Sequence, residues 1–521
     1  MSRERRSPYV KRNFSNHTSA ISMDAGATKF SPYINGAFVE PSSGRYSQRY
    51  DPGDKSRLIG LVGDGSRDVG AAVDAAREAF DGDRSGWVSD YRFRARVLLK
   101  AAELVRERSE ELARLESLFT GKTIRTSRLG DIPRTAEMLE YYAGAADKLL
   151  GYSQQLRNGD VTILLRQPVG VVAAITPWNF PLVILARQTA PALAAGCTVV
   201  AKPASLTPAT AIELAKILEK AGCPPGVFNV VTGPGEHVGA ELVKNPKVDV
   251  VNFTGETSTG KWIMQNAASS LKRVVLELGG KNPNIVFEDA DLEQAANAVT
   301  YGAYANNGES CAAGSRLIVH KSVRKKMVEM LAERIRRLRI GYQLEESSDM
   351  GPLVSQQQME KVMEYVAAAV SEGLSVVVGG GRPSGGVYDR GFYVEPTLVD
   401  ETPPNSKLFK DEIFGPVLTV TEFEDEEEAV ALANATVYGL AAGVWSNDSR
   451  RAVRVAGKVK AGTVWVNTYY TLPVEQPWGG FKESGIGRNN TVLALEHYLE
   501  WKGVYIDTQK GPMRPYYKIV L

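Results

Sequence analysis

Cysteine, histidine and an excess of charge of one sign are scarce in this sequence. Only three cysteines and four histidines occur in 521 residues, and no two cysteines form a CxxC pair. An odd number of cysteines cannot all pair internally, and scattered histidines give no zinc-ligand spacing. The sequence therefore predicts free thiols in a reducing compartment, taken to be the cytoplasm, and no metal site.

Net charge is also close to zero, since 62 basic and 60 acidic residues leave +2. Such a balance creates no long-range field that would attract nucleic acid or an anionic membrane. Long apolar runs are missing too, because the stretch near Val171 is interrupted by Pro177, Asn179 and Arg187. We therefore expect no membrane span and no nucleic-acid partner.

The first 22 residues are rich in Arg, Lys and Ser, and no apolar segment of a secretory signal follows them. We interpret residues 1–28 as a flexible N-terminal tail. A targeting peptide over residues 1–22 and a start at Met23 are the alternatives.

Apolar periodicity indicates an α/β fold. Helical spacing occurs over 69–80 and 91–119, and from 197 to 278 short buried-type strands alternate with helices. This alternation predicts parallel βαβ units and a Rossmann-like sheet. A second alternation, from 284 to about 468, predicts a second α/β domain.

These patterns predict three parts. A discontinuous dinucleotide-binding domain takes residues 29–148 and 169–278, and a catalytic domain takes 279–488. Strand-like segments at 149–168 and 489–521, the latter including 503–506 and 517–520, predict a small β oligomerisation arm. This arm would join a homodimer or homotetramer.

Three side chains stand in contexts suited to chemistry. Cys311 follows a polar, Gly-containing turn, although an isolated cysteine is more often a small buried hydrophobe. Glu277 ends an apolar strand beside a Gly-Gly turn, where burial would raise the pKa of a carboxyl towards a general-base value. Asn179 lies between a strand and an apolar helix, and its amide is a neutral donor suited to an oxyanion. A turn-capping role is the alternative for both Glu277 and Asn179.

The chain as a whole resembles the aldehyde dehydrogenase superfamily, from about Pro32 to Gly487. The matching segments occur in family order and with nearly family spacing. They are Thr176-Pro177-Trp178-Asn179-Phe180-Pro181, Lys202-Pro203-Ala204-Ser205, Phe253-Thr254-Gly255, Glu277-Leu278-Gly279-Gly280-Lys281, Gly308-Glu309-Ser310-Cys311, Glu412-Ile413-Phe414-Gly415-Pro416 and Pro477-Trp478-Gly479-Gly480-Phe481-Lys482.

The resemblance implies NAD(P)-dependent oxidation of an aldehyde to a carboxylic acid. Cys311 as thiolate would attack the aldehyde carbon, and Asn179 with the Cys311 backbone N–H would hold the oxyanion. Glu277 would activate water to hydrolyse the resulting thioester and help to deprotonate Cys311.

The resemblance also implies a set of cofactor-binding residues, with Gly235 and Gly239 on the adenine side and Glu412 at the nicotinamide ribose. These residues are Ile175, Thr176, Pro177, Trp178, Lys202, Ser205, Gly235, Gly239, Phe253, Gly255, Glu256, Leu278, Glu412 and Phe414.

Two positions depart from many relatives. Ser205 replaces a Glu that would repel a 2′-phosphate, so we expect NADP to be accepted, alone or alongside NAD; an unchanged NAD preference is the alternative. Glu256 replaces a Ser, and an acid near pyrophosphate is unfavourable unless it turns away.

Arg187 is the main indication of the substrate. It interrupts an apolar helix about two turns after Asn179. Members of the superfamily that oxidise semialdehydes with a carboxylate tail resemble this chain in having an arginine at this position. Arg187 is therefore predicted to bind the substrate carboxylate. A structural ion pair with a neighbouring domain or subunit is the alternative. The chain also resembles betaine-aldehyde oxidisers in the region that contains Tyr469, Tyr470 and Trp478. These aromatic side chains would contact the cationic substrate of such enzymes, whereas Arg187 would repel it.

Two other functions remain as alternatives. A CoA-acylating relative would generally lack Glu277, because CoA then takes the acyl group. A non-catalytic protein like the lens crystallins of the superfamily could lose Cys311 or Glu277 without cost.

Overall fold

The computed structural model describes residues 28–508. Residues 1–27 of the predicted tail and residues 509–521 of the predicted arm, with the strand-like 517–520, lie outside the described residues.

The strands are numbered here in chain order. They are β1 Lys29–Phe30, β2 Tyr33–Ile34, β3 Ala37–Phe38, β4 Tyr46–Asp51, β5 Asp54–Gly63, β6 Tyr152–Gln155, β7 Val161–Pro168, β8 Val171–Ile175, β9 Thr198–Lys202, β10 Phe228–Val230, β11 Val250–Thr254, β12 Arg273–Glu277, β13 Pro283–Val286, β14 Arg316–His320, β15 Ser375–Val378, β16 Thr397–Asp400, β17 Val417–Phe423, β18 Tyr438–Gly439, β19 Ala441–Trp445, β20 Thr463–Val466, β21 Phe481–Lys482, β22 Gly485–Ile486 and β23 Leu499–Ile506.

The α-helices follow the same numbering. They are α1 Val69–Gly82, α2 Tyr91–Glu107, α3 Ser109–Thr120, α4 Ile124–Thr126, α5 Ile132–Ala145, α6 Pro181–Ala195, α7 Ala209–Lys220, α8 Ala240–Lys244, α9 Thr257–Ala267, α10 Leu292–Tyr304, α11 Lys321–Arg336, α12 Gln356–Ser371, α13 Lys407–Lys410, α14 Glu426–Asn434 and α15 Ser449–Lys458.

The first large sheet has eight strands in the order β22-β12-β11-β8-β9-β10-β2-β3. Its centre, from β12 to β10, is parallel. These strands are runs of buried residues such as the Val171–Ile175 segment, as expected when helices cover both faces of a sheet. The predicted Rossmann-like sheet is confirmed.

The second large sheet has seven strands in the order β15-β16-β17-β14-β13-β19-β20. It is parallel except for β15, which pairs antiparallel with β16 at one edge. Its core joins α10 and α11 through buried residues such as Val299 and Leu331. The predicted second α/β unit is confirmed.

A separate three-stranded antiparallel sheet has the order β23-β7-β6. Here β7 and β23 pair along their whole length, from Leu499 opposite Pro168 to Ile506 opposite Val161. The two ends of the predicted arm thus share one ladder. The assignment of exact domain boundaries, and of an oligomeric role to this arm, stays a prediction.

One ladder ties the late part of the chain to the first sheet. Strand β22 pairs antiparallel with β12, so that Gly485 stands opposite Glu277. Ser484 is fully buried beside this point, and its hydroxyl donates to the carbonyl of Gly279 at 2.6 Å. The end of β12 is therefore held by both halves of the molecule.

The helical segment before β11 has an irregular start. A π turn spans Gly235–Gly239, and an α-helix follows only at α8. Glycine costs more conformational entropy in a helix than other residues, which weakens an ordinary helical start there. Over residues 28–508, no helix combines the length and apolar character that crossing a bilayer requires.

Candidate active site

Four predicted site residues stand at the same edge of the first sheet. Ile175, Lys202, Thr254 and Glu277 are the last residues of β8, β9, β11 and β12. These strands are parallel neighbours, so their carboxyl ends open on one crevice. Ligands of open α/β sheets bind at such an edge.

The loop that carries Cys311 is fixed by two asparagines. Asn306 and Asn307 have φ of 54° and 59°, a left-handed conformation that asparagine tolerates. The Asn307 amide donates to Pro352 O at 2.8 Å. Asn282 holds the part of the loop that contains and follows the cysteine, because its amide donates to Cys311 O and Ala313 O at 2.8 Å each. The half-buried thiol is thus held on a rigid turn between the sheets.

Cys311 and Glu277 face each other. The Glu277 carboxyl is fully buried, and neither of its oxygens has a partner with good hydrogen-bond geometry. Burial raises the pKa of Glu277, while the charge of Arg187 and the Cys311 thiol act to lower it. Burial, with the adjacent Glu277, also raises the pKa of the Cys311 thiol well above its usual value.

The raised pKa of Cys311 changes the expectation that its thiol is ionised before the aldehyde binds. A thiol with a strongly raised pKa keeps its proton near neutral pH, because the anion is poorly solvated beside a carboxylate. The arrangement instead suits transfer of the thiol proton to Glu277 as a new bond forms at sulfur.

Asn179 is buried two residues before the start of α6, with 3% exposure. Its amide nitrogen donates to the Glu309 carbonyl at 3.0 Å, which aims the side chain at the Cys311 turn. An amide carries two N–H groups, so a second donor remains available. Within residues 28–508 the Cys311 backbone N–H has no hydrogen-bond partner either.

A cavity of about 160 Å³ leads from the Rossmann edge to the thiol. Its lining includes ten of the residues predicted for catalysis or cofactor binding. These are Pro177, Trp178, Asn179, Gly255, Glu256, Glu277, Leu278, Cys311, Glu412 and Phe414. The structure therefore brings together most of the predicted site.

The walls of this cavity fit a dinucleotide. Helix α9 begins at Thr257 without a side-chain cap, which leaves backbone N–H groups suited to a pyrophosphate. A β-carbon on Gly279 would lie 2.4 Å from the Glu412 carboxyl, so glycine is needed for this close approach. Glu412 accepts from Gly280 N at 2.9 Å, and Trp178 and Phe414 pack edge to face at 5.2 Å. Burial raises the pKa of Glu412 to about 7.

The predicted adenine-side residues meet at the ends of β9 and β10. Burial lowers the pKa of Lys202 to about 8, and its Nζ is 3.9 Å from where a β-carbon on Gly235 would stand. The Ser205 hydroxyl donates to Gly233 O at 2.6 Å. Gly235 begins and Gly239 ends the π turn that follows β10.

Sequence reasoning missed two residues of the cofactor cavity. Gln358 and Lys361, both on α12, line it. Gln358 donates to Phe414 O at 2.7 Å and so supports the wall beside the predicted nicotinamide site. No local motif marks either residue, because only the packing of α12 brings them there.

A larger cavity, of about 680 Å³, lies on the other side of the Cys311 turn. Phe180, Asn306 and Tyr470 line its inner part, and the Tyr470 and Ser310 hydroxyls share a hydrogen bond beside Cys311. Arg134 also lines it, and has no ion pair or hydrogen bond within residues 28–508. This cavity is the candidate route for the substrate.

Arg187 lies on the fully buried helix α6 and lines neither cavity, although its charge reaches Glu277 and Cys311. Its Nε has no hydrogen-bond partner, and no carboxylate comes within ion-pair distance in residues 28–508. Its charge acts on Glu277, Cys311 and Arg134. An ion pair with a neighbouring domain therefore finds no partner within residues 28–508, and an ion pair with a neighbouring subunit stays an alternative.

The aromatic residues predicted for the substrate are placed differently. The Tyr469 hydroxyl donates to Ala312 O at 3.0 Å, and its ring packs on Trp465 in the core. Trp478 is buried with 1% exposure and faces Glu277. Neither lines the two cavities above; a φ of 67° at Tyr470 turns that residue to the larger cavity instead.

Comparisons with known proteins agree with this geometry. Residues 38–504 match the model described as "Aldehyde dehydrogenase family". The chain is 41% identical over 479 residues to a betaine aldehyde dehydrogenase of Bacillus subtilis, covering 92% of this chain and 97% of that protein.

Solved structures are similar over the same length. A betaine aldehyde dehydrogenase point mutant of Staphylococcus aureus, in complex with NAD+ and with a chemically modified cysteine, is 38% identical with a TM-score of 0.90, covering 92% of this chain and 97% of that chain. An aldehyde dehydrogenase of Bacillus cereus in complex with NAD+ is 40% identical with a TM-score of 0.89, covering 92% and 97%.

Proposed function

This chain belongs to the aldehyde dehydrogenase family and oxidises aldehydes with NAD(P)+, and we propose that its substrate is an aldehyde bearing a carboxylate. The observation that carries this proposal is the pair Arg187 and Arg134, two guanidinium groups without a carboxylate partner in residues 28–508. Glu277 acts on Arg187 only from beyond ion-pair distance, and leaving a buried charge without a close partner is costly. A substrate carboxylate would compensate them and bind an arginine fork bidentately.

In this proposal Cys311 is the nucleophile and Glu277 its proton acceptor. Sulfur bonds to the aldehyde carbon while the thiol proton passes to the carboxyl that faces it. The carbonyl electrons move to oxygen, where the second Asn179 N–H and the Cys311 backbone N–H donate to the oxyanion. These donors are preorganised by Glu309 and Asn282, so little reorganisation is needed.

The remaining steps return the enzyme to its starting state. The nicotinamide, when bound, supplies the oxidation by accepting a hydride from the carbon, which leaves a thioester on Cys311. Glu277 then releases to solvent the proton that it took from the thiol. It accepts another proton from water, whose oxygen attacks the thioester carbon. The acid is released as the proton returns to sulfur, and no CoA is required. The proposed cofactor contacts are α9 with pyrophosphate, Glu412 with ribose, and Phe414 and Trp178 beside the ring.

Replacing Arg187 with Met should lower kcat/KM for succinate semialdehyde about 10- to 100-fold more than for benzaldehyde. Hydrogen bonds between charged groups contribute about 1.5–3 kcal/mol, which corresponds to that range. The neutral aldehyde is an internal control, because loss of Arg187 also raises the pKa of Cys311 and Glu277 and slows chemistry on every substrate. Initial rates of NAD(P)H formation measure both.

Arg134→Met provides a matched comparison, since Arg134 lines the larger cavity. The cation that acts on the Cys311 thiol is Arg187. It should reduce use of the anionic aldehyde alone. Equal losses on both aldehydes in both variants would exclude the carboxylate site.

A second candidate is a betaine aldehyde, as in the similar proteins. The observation that favours it is the edge-to-face pair of Tyr301 and Tyr470, 5.7 Å apart, which gives the larger cavity an aromatic wall for a quaternary amine. A higher kcat/KM for betaine aldehyde than for succinate semialdehyde in the unaltered protein would select this candidate.

We also infer acceptance of both NAD+ and NADP+, because the uncharged Ser205 stands where a carboxylate would repel a 2′-phosphate. The cytoplasmic location stays a prediction.

The arm is proposed to join identical subunits. Its sheet exposes large apolar side chains, with Tyr152 at 65%, Trp501 at 48% and Tyr505 at 56%. Exposed apolar patches of this kind mark association surfaces. Light scattering should give a dimer or tetramer of the 56.6 kDa chain, and a monomer would contradict the proposal.

A further inference from the structure

Arg49 is a charged side chain that the reaction scheme above does not use. It lies on β4, where the pairing with β5 shifts register between Arg49 and Tyr50. Its side chain leaves the small sheet β1-β5-β4 and reaches the loop after β9, where Nε donates to the backbone carbonyl of Ser205 at 2.6 Å. A residue distant in sequence thus meets the predicted adenine side of the cofactor site.

The environment of Arg49 contains no compensating carboxylate. One terminal nitrogen is 3.4 Å from the Ser47 hydroxyl, and within residues 28–508 Arg49 forms no ion pair. The guanidinium is half-buried, and burial lowers its pKa. Desolvating a cation against neutral acceptors is unfavourable unless an anion joins it.

A second cation, Lys202, ends strand β9 three residues before Ser205. Lys202 is 5% exposed and makes no ion pair within the described residues, although the exposed Glu236 acts on its charge at longer range. The Ser205 hydroxyl is bonded to Gly233 O, towards the loop that carries Gly235 next to Lys202. Ser205 therefore contacts Arg49 through its carbonyl, and its hydroxyl contacts the Gly233–Gly235 loop that Lys202 also approaches.

This place in the fold is where the adenosine half of a dinucleotide belongs. Lys202 and Ser205 follow β9, and Gly233 follows β10, both at the carboxyl edge of the parallel strands. In Rossmann-like sites an acidic residue near the ribose selects the 2′-hydroxyl, whereas a nearby arginine accommodates a 2′-phosphate. Here the loop position is a serine, and an arginine is held against it.

We propose that Arg49, with Lys202, recognises the 2′-phosphate of NADP+ and makes this enzyme prefer it to NAD+. The inference rests on the NAD(P) dependence of the proposed function and adds a residue from the β4–β5 hairpin to its cofactor site. Arg49 keeps Nε on Ser205 O, and its terminal nitrogens and the Lys202 ammonium donate to phosphate oxygens. Such phosphate contacts are short, charge-assisted and directional.

The test measures binding without aldehyde or catalysis. Isothermal titration of the full chain with 2′,5′-ADP and with 5′-AMP compares two ligands that differ in the 2′-phosphate. The unaltered protein should bind 2′,5′-ADP at least about tenfold more tightly. Because no aldehyde is present, failure here leaves the proposed substrate untouched.

Arg49→Met should weaken 2′,5′-ADP about tenfold or more and leave 5′-AMP within about twofold. Lys55→Met is the matched control: it removes one exposed positive charge from the neighbouring strand β5 and should change neither ligand. Arg49→Lys keeps the charge but loses the fork, and should retain part of the preference.

A purely structural role for Arg49 gives a different result. If its bond to Ser205 only holds the loop, Arg49→Met weakens both ligands equally and the proposal is overturned. Equal affinity of the unaltered protein for both ligands overturns it as well. Should Arg49→Met not fold, Arg49→Gln, which retains a donor for Ser205 O, gives the same comparison.

Discussion

Aldehyde oxidation is expected to fall about 10⁴-fold or more in kcat when Cys311 is replaced by Ala. Removing a nucleophile from a site that acts as a unit has effects of this order or larger. Neither other thiol can take its place, because Cys197 is fully buried in the first core, Cys223 packs against that same core, and neither lines the two cavities. Production of NAD(P)H from excess aldehyde measures the loss.

Cys223→Ala is the matched control, since it removes a thiol outside both cavities and should leave kcat nearly unchanged. Alkylation gives an independent measurement. Iodoacetamide should label Cys311 before the other two cysteines, with activity lost in proportion, because only Cys311 of the three lines a cavity described above and Glu277 can accept its proton as the new bond forms. Full activity of the Cys311→Ala protein would remove the thioester scheme, whereas an unaltered protein without activity on any aldehyde would favour a non-catalytic role.

Glu277→Gln should reduce kcat about 10²- to 10⁴-fold, the usual contribution of a general base. Gln preserves the shape of the side chain and removes its ability to accept a proton from thiol or water. Because both half-reactions use that proton acceptor, rapid mixing should show a slower first turnover of reduced cofactor as well as slow steady turnover. A fast first turnover with slow later ones would assign Glu277 to hydrolysis alone.

The pH dependence gives a second measurement of the same residue. Burial raises the pKa of Glu277, so the carboxyl is protonated, and unable to act as a base, up to a higher pH than an ordinary glutamate. The rate should therefore fall as pH decreases through an inflection above the usual Glu value of about 4.3. Glu277→Gln should lack this inflection.

Glu116→Gln is the control for that profile. Glu116 is another buried carboxyl whose pKa is raised, to about 7, and it accepts from Leu182 N and the Thr210 hydroxyl. Its substitution should affect stability while the inflection stays. If the inflection follows Glu116 instead, Glu277 is not the base.

The chemistry of the site could be predicted from sequence because its signals are local. Glu277 at the end of an apolar strand before Gly279-Gly280, and Cys311 after a polar turn, are recognised within a few residues of the chain. The Rossmann edge follows in the same way, since alternation of short strands and helices places the carboxyl ends of β8, β9, β11 and β12 together.

The rest depended on contacts between distant segments. Gln358 and Lys361 face the cofactor cavity because α12 packs there, and Arg49 meets Ser205 because β4 shifts register. The residues that flank Arg49, Gln358 and Lys361 in the sequence form no motif that would predict these long-range contacts.

The choice between Tyr469 and Tyr470 depended on backbone conformation. A φ of 67° at Tyr470 decides which of the two rings faces the larger cavity. A positive φ is uncommon for an aromatic residue, and periodicity would not predict it.

The pairing of Gly485 with Glu277 has a consequence for how the enzyme matures. The Glu277 carboxyl lies on a strand made about midway through synthesis of the 521 residues, whereas its outer neighbour in the ladder is made later. Contacts so far apart in sequence close slowly, because a long loop must first be ordered. A ribosome-bound chain that stops short of Gly485 would carry its reactive sulfur without a fixed base, so competence should arise only when translation is almost complete.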